Sequence, residues 1–200
     1  TVIFGNIANI STDGVPKPLF YMSGIVTWNY FSTAFTSTSN SLAGNAGIYG
    51  KVYFPRIIIP LATLFSSLVR YFIQLILFFC FLVYSNINNS NGIEIQFHLL
   101  WMLPILIIIM GIQGLGFGLL FSAFTTKYRD LRFLINFGVQ LLMYASPVIF
   151  PLSIIPERYK WIILVNPMSA VIESFRHMVF GAGQISIDAI LYSIIFTGVL

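Results

Sequence analysis

The chain has 200 residues, 58% of them hydrophobic and 8% charged, with a mean hydropathy of +0.89 and a formal net charge of +4. Soluble domains carry roughly 25% charged residues, so this is the composition of a membrane chain, and at about 20 apolar residues per spanning helix its length suits roughly five spans with short loops. With 20 Phe and 10 Tyr it is not a disordered chain, the single cysteine, Cys80, excludes a disulfide scaffold, and cations scattered over loops give nucleic acid no electrostatic footprint.

Charge-free stretches locate the spans, because an ionised side chain at mid-bilayer costs roughly 2.5–3.5 kcal/mol. The stretch between Lys17 and Lys51 holds no charge and predicts a span over about 19–43. Its Ser/Thr-rich tail, Thr36 to Ser41, suits a helix that packs on protein or lines a cavity. A second span is expected over 57–85, interrupted only by Arg70 and ended by the polar cluster from Ser85. Further spans are expected over 98–124, 133–150 and 187–200. Between them, residues 152–182 are apolar but broken by Pro156, Glu157, Arg158, Lys160 and Asn166-Pro167. Pieces of about a dozen residues are too short to cross, and a proline removes a backbone donor, so a re-entrant helical hairpin is expected there. The chain begins at Thr1 and its last apolar run stops at Leu200, which leads us to expect a longer protein with one more helix before Thr1.

Lys51 and Arg56 lie in the loop after the first span, and Lys127, Arg129 and Arg132 face only Asp130 in the loop after the third. Both loops are therefore expected on the cytoplasmic side, with the hairpin on the outer side. No carboxylate lies well inside a span, which weakens a proton- or sodium-coupled carrier. His98 and His177 lack metal-site spacing, and no Ser-His-Asp or Cys-His arrangement supplies a nucleophile, so neither a metal site nor enzyme chemistry is expected. No GxxxxGK[ST] occurs, so an ATP-driven process would need ATP bound elsewhere.

Gly111-Ile-Gln-Gly114-Leu-Gly116-Phe-Gly118 has the look of a dinucleotide loop but lies inside an apolar helix; Gly114 and Gly118, four apart, instead predict close helix packing. Arg70 is the one cation well inside a span and is expected to have a partner, whether a polar cavity, an anionic ligand group or nearby backbone. Two aromatic stripes recur at helical spacing, Trp28, Phe31 and Phe35 in the first span and Phe133, Phe137, Gln140 and Tyr144 in the fourth. Each is either a packing surface or a channel wall on which sugar rings could stack.

Asn45-Ala-Gly-Ile-Tyr-Gly-Lys51-Val-Tyr53-Phe54-Pro55-Arg56 resembles the first cytoplasmic loop of ABC-2 type permeases that export lipid-linked polysaccharides such as O-antigen, capsule and teichoic acid. Tyr128-Arg129-Asp130-Leu131 is similar to their second cytoplasmic loop. Ser146-Pro147-Val148-Ile149-Phe150-Pro151 is similar to the end of their fifth helix, and Asn166-Pro167-Met168 with Glu173, Phe175 and Arg176 to their outer hairpin. The four motifs occur in the family's order.

The resemblance implies an all-α polytopic membrane protein with a type V exporter-like transmembrane domain. It implies six spans in the full chain, of which five and the hairpin are seen here. It further implies a homodimer, a separate ABC ATPase chain that binds ATP and Mg, no cofactor on this chain, and a polyprenyl-pyrophosphate-linked glycan as cargo in the bacterial cytoplasmic (inner) membrane. Lys51, Tyr53, Phe54, Pro55 and Arg56 would then form the ATPase-coupling loop, with Arg129 and Asp130 in the second contact. Trp28, Phe31, Phe35, Phe137, Gln140 and Tyr144 would be channel-wall candidates, and Pro147, Pro156, Asn166, Pro167, Glu173 and Arg176 would belong to an outer gate. Many relatives have an acid after the Phe-Pro-Arg triplet where this chain has Ile57. The alternatives are an exporter of drugs or small lipids, against which the Asn-Pro hairpin and Phe-Pro-Arg loop argue, and a glycan polymerase, which would need large outer loops.

Overall fold

A computed structural model describes residues 12, 14–45, 47, 55, 57–88, 99–128, 130–181, 183 and 187–200, and among these the regular structure is entirely helical. The described elements are α1 (Lys17–Gly44), α2 (Ile58–Asn88), α3 (Met102–Lys127), α4 (Leu131–Tyr144), a 3-10 turn (Leu152–Ile154), α5 (Glu157–Leu164), α6 (Pro167–Phe180) and α7 (Ile187–Val199). α2 and α3 are long and apolar enough to cross a membrane. α4 and α7 are shorter apolar helices of 14 and 13 residues.

α1 is the central element and packs against both α2 and α3. Its hydroxyls are accommodated by bonding back to carbonyls of the preceding turn: Thr27 Oγ1 to Ser23 O at 2.8 Å, Ser39 Oγ to Thr36 O at 2.9 Å and Ser41 Oγ to Thr38 O at 2.7 Å. A Ser/Thr-rich helix can in this way enter an apolar interior with most of its donors paired, although Thr38 Oγ1 is buried without a hydrogen-bond partner among the described residues. α2 presents one stripe to α1, with Ser67, Tyr71, Leu75, Phe78 and Leu82 buried at spacings of three and four while most residues between them face outward. Tyr71 stacks on Tyr30 of α1 with ring centroids 4.9 Å apart.

α3 meets α1 through its glycines. A Cβ on Gly114 would lie 2.7 Å from Ala34 Cβ and 3.2 Å from Phe31 O, and one on Gly118 would overlap Thr38 Cβ. The spacing noted in the sequence therefore marks the face where two helix backbones approach most closely. Thr125 Oγ1 donates across the same seam to Ser39 O at 2.8 Å.

The apolar run of the fourth predicted span extends to Phe150, but α4 ends at Tyr144. Pro147 has no N–H to continue the ladder and disfavours helix at Ser146, whose hydroxyl closes the last turn by donating to Leu142 O at 2.6 Å. Residues 152–182, where the re-entrant hairpin is expected, contain α5 and α6. Asn166 caps α6 by accepting from Met168 N at 3.1 Å, and Pro167 takes the first helical position, where no N–H is needed. Gly181 ends the helix at φ 67°, a left-handed conformation favoured by glycine, and its N–H donates to His177 O. α5 lies largely on the outside of the chain, whereas all but one residue of α6 are buried. Half of this hairpin is thus core.

Candidate functional site: an aromatic cleft and its polar clamp

Between α4 and the body formed by α1, α3 and α7 lies an apolar cleft of about 660 Å³. One wall is aromatic, with Phe31 and Phe35 from α1, Phe117 and Phe121 from α3, and Tyr192 and Phe196 from α7. These rings form a continuous chain: Phe35 to Phe121 at 5.4 Å, Phe35 to Phe117 at 6.0 Å, Phe117 to Phe196 at 5.7 Å and Phe196 to Tyr192 at 5.9 Å between centroids. The facing wall is aliphatic and includes Leu134, Gly138 and Leu142 of α4. Val165, Asn166 and Pro167, at the hairpin turn, close one end. Such a wall offers ring faces to apolar chains or to the CH faces of sugars.

The two aromatic stripes of the sequence do not meet on one surface. Phe31 and Phe35 line the cleft, while Trp28 is 2% exposed and packs behind Phe31 with centroids 5.3 Å apart. Phe137, Gln140 and Tyr144, together with Phe133, occupy the opposite face of α4 and point out of the chain. α4 therefore has two apolar faces, one on the cleft and one free to meet lipid or another chain.

Arg176 and Glu173 of α6 are buried, at 1% and 2% exposure, and pair with Nη1 to Oε1 at 3.2 Å. The guanidinium binds the turn after α4: Nη1 donates to Pro147 O and Nη2 to Val148 O at 2.7 Å. Arg176 also lies over the Phe20 ring, 3.7 Å from its centroid, in cation–π geometry. Gly24 of α1 makes room for this arrangement, since a Cβ there would come within 2.8 Å of Arg176 Nη2. Asn166 Nδ2 donates to Ser146 Oγ at 2.7 Å and adds a second tie between the hairpin and the end of α4. Glu173 and Arg176 thus act on the turn after α4 at Pro147 and Val148, next to Ser146 that Asn166 reaches, and of these gate candidates only Asn166 and Pro167 line the cleft. Pro156 stands apart, at the start of α5.

Arg70 is exposed on the outside of α2 and forms no ion pair with a described residue. Pro55 and Asp130 are exposed, while Lys51, Tyr53, Phe54, Arg56 and Arg129 lie outside the described residues. The sequence reading missed the α3 and α7 parts of the cleft and a buried polar group on α3, Gln113. Gln113 bonds to Ser193 and Thr197 of α7 and was detectable as the one amide inside an apolar run.

The family model for ABC-2 type transporters matches residues 1–180. The chain belongs to the ABC-2 type transporter family and is an all-helical membrane protein of that class. An O-antigen export system permease protein, RfbA, of Klebsiella pneumoniae is 30% identical over 160 residues, covering 80% of this chain and 60% of that protein. A second Klebsiella pneumoniae protein of the same name is 30% identical over 186 residues, covering 91% and 67%. The polysialic acid transport protein KpsM of Escherichia coli is 25% identical over 185 residues, covering 88% and 66%. The chain spans about three fifths to two thirds of the length of these curated relatives.

Proposed function

We propose that this chain is the membrane half of an ATP-driven exporter that moves a lipid-linked polysaccharide across the bacterial cytoplasmic membrane. The observation that carries the proposal is the aromatic-walled cleft beside a clamped hairpin, in a chain whose relatives are named for O-antigen export and polysialic acid transport. Aromatic faces suit a glycan because CH groups of sugar rings stack on them without requiring one pattern of hydroxyls. In this reading the full chain has six spans and pairs with a second copy. ATP and Mg bind a separate ATPase chain, and Lys51 to Arg56, with Arg129 and Asp130, transmit its closure. The hairpin is the outer gate, and the cargo is a polyprenyl-pyrophosphate-linked glycan.

A strain lacking the protein should lose surface polysaccharide and accumulate full-length polymer inside, and the wild-type gene should reverse both. The variant Phe31→Leu/Phe35→Leu keeps apolar bulk but removes two rings. It should assemble normally yet lower export about tenfold, the effect of about 1.4 kcal/mol, within the range of aromatic contacts. Single repeat units in the deletion strain, in place of polymer, would point to a polymerase. Normal surface polymer would remove export from consideration.

A further inference from the structure

The turn joining α5 to α6 lies across one end of the cleft and is tied to both walls. Asn166 Nδ2 reaches Ser146 Oγ at the end of α4. On the other side, Tyr192 Oη donates to Val165 O at 2.9 Å and Ser193 Oγ to Pro167 O at 3.1 Å. Behind Ser193 stands Gln113, 0% exposed, which lies outside the cleft lining and has no part in the coupling or gate assignments above. Its Nε2 donates to Ser193 Oγ at 3.0 Å and to Thr197 Oγ1 at 2.9 Å.

The proton inventory fixes the direction of this network. Each hydroxyl has one proton, and both are already placed, that of Ser193 on Pro167 O and that of Thr197 on Ser193 O at 2.6 Å. The two oxygens can only accept from Gln113, so the amide must turn its NH₂ toward α7. A serine within a helix has a competing acceptor, the carbonyl one turn back, which Ser174 uses in bonding to Ala170 O. Ser193, accepting the N–H of Gln113, donates across to Pro167 O instead of to the carbonyl of its own helix.

We propose that Gln113 is a positioning residue for the hairpin end of the cleft: acting through Ser193, it holds Pro167, and with it the connecting turn, on the α7 wall. Gln113 touches no cargo; it sets how readily the hairpin lifts. The consequence for transport rests on the gate reading given above, but the tie itself can be read in resting protein without cargo or ATP.

The test uses the purified full-length protein with every native cysteine, Cys80 among them, replaced by serine and Met168→Cys introduced. Met168 is 0% exposed and follows Pro167, so labelling by a soluble maleimide reports lifting of the turn. Gln113→Met, which keeps side-chain length, and Ser193→Ala should each speed labelling roughly tenfold, as weakening or loss of the one buried hydrogen bond that holds the turn, Ser193 to Pro167, shifts a local opening equilibrium. The double variant should label no faster than either single one, because the two residues act in series. Ser193→Ala removes only one oxygen and tests the link by itself if Gln113→Met does not fold. Unchanged labelling in folded Ser193→Ala overturns the proposal, as does a double variant whose effects multiply toward a hundredfold. Impaired export with unchanged labelling likewise refutes this tie while leaving the export reading in place.

Discussion

Arg176→Met is expected to be among the most damaging single substitutions in the chain, destabilising the fold by about 3–5 kcal/mol, the cost of breaking a buried ion pair by removing one partner. Methionine keeps the apolar stem of the side chain but not the guanidinium, so the ion pair, the hydrogen bonds and the cation–π contact with Phe20 are lost together. Glu173, 2% exposed, would lose the guanidinium beside it, and the carbonyls of Pro147 and Val148 would lose their donor. The end of α4 would then be held to α6 mainly by the Asn166–Ser146 bond. Thermal unfolding followed by size-exclusion chromatography of the detergent-solubilised protein should show the loss. Adding Glu173→Gln, which removes the charge that Arg176 faced, should recover part of it. Arg158→Met, at an exposed position on α5, should change stability by no more than about 0.5 kcal/mol. Equal melting of the Arg176 and Arg158 variants would show that the clamp contributes nothing.

Gly118→Leu is the second large expected effect. The new Cβ would overlap Thr38 Cβ and lie 3.1 Å from Phe35 O, so the obstruction includes backbone and cannot be relieved by a rotamer change alone. Overpacking of this kind costs roughly 1–3 kcal/mol or more. It acts at the seam between α1 and α3, which in lipid depends on close van der Waals packing. Gly138→Leu is the matched control, because nothing lies within 4 Å of a Cβ there. The Gly118 variant should yield much less monodisperse protein than the Gly138 variant. Similar yields from the two would mean that α1 and α3 are not packed as described.

The helices could be read from the sequence where one physical signal dominated. Absence of charge located α1 to α3, the Gly114/Gly118 spacing marked the close helix face, and Asn166-Pro167 announced the start of α6. The end of α4 was misjudged because hydropathy continues to Phe150 while the backbone ladder stops before Pro147. The cleft was half legible: a stripe at Phe31 and Phe35 is visible from spacing, but its partners Phe117 and Phe196 depend on which helix faces meet. The same limit hid the clamp. Glu173 and Arg176 stand three apart, as an ion pair on a helix requires, yet the carbonyls bound by Arg176 belong to a turn 28 to 29 residues earlier in the chain. Arg70 faces outward and has no ion-pair partner among the described residues.

The most direct measurement of whether this chain is the membrane half of an ATP-driven exporter is co-purification of the full-length protein with candidate ABC ATPase chains, followed by assay of ATP hydrolysis. A stable complex is expected, whose assembly or coupled hydrolysis fails in Tyr53→Ala/Phe54→Ala while the membrane fold is kept. A protein that purifies alone, and transports without any ATPase chain, would contradict the account.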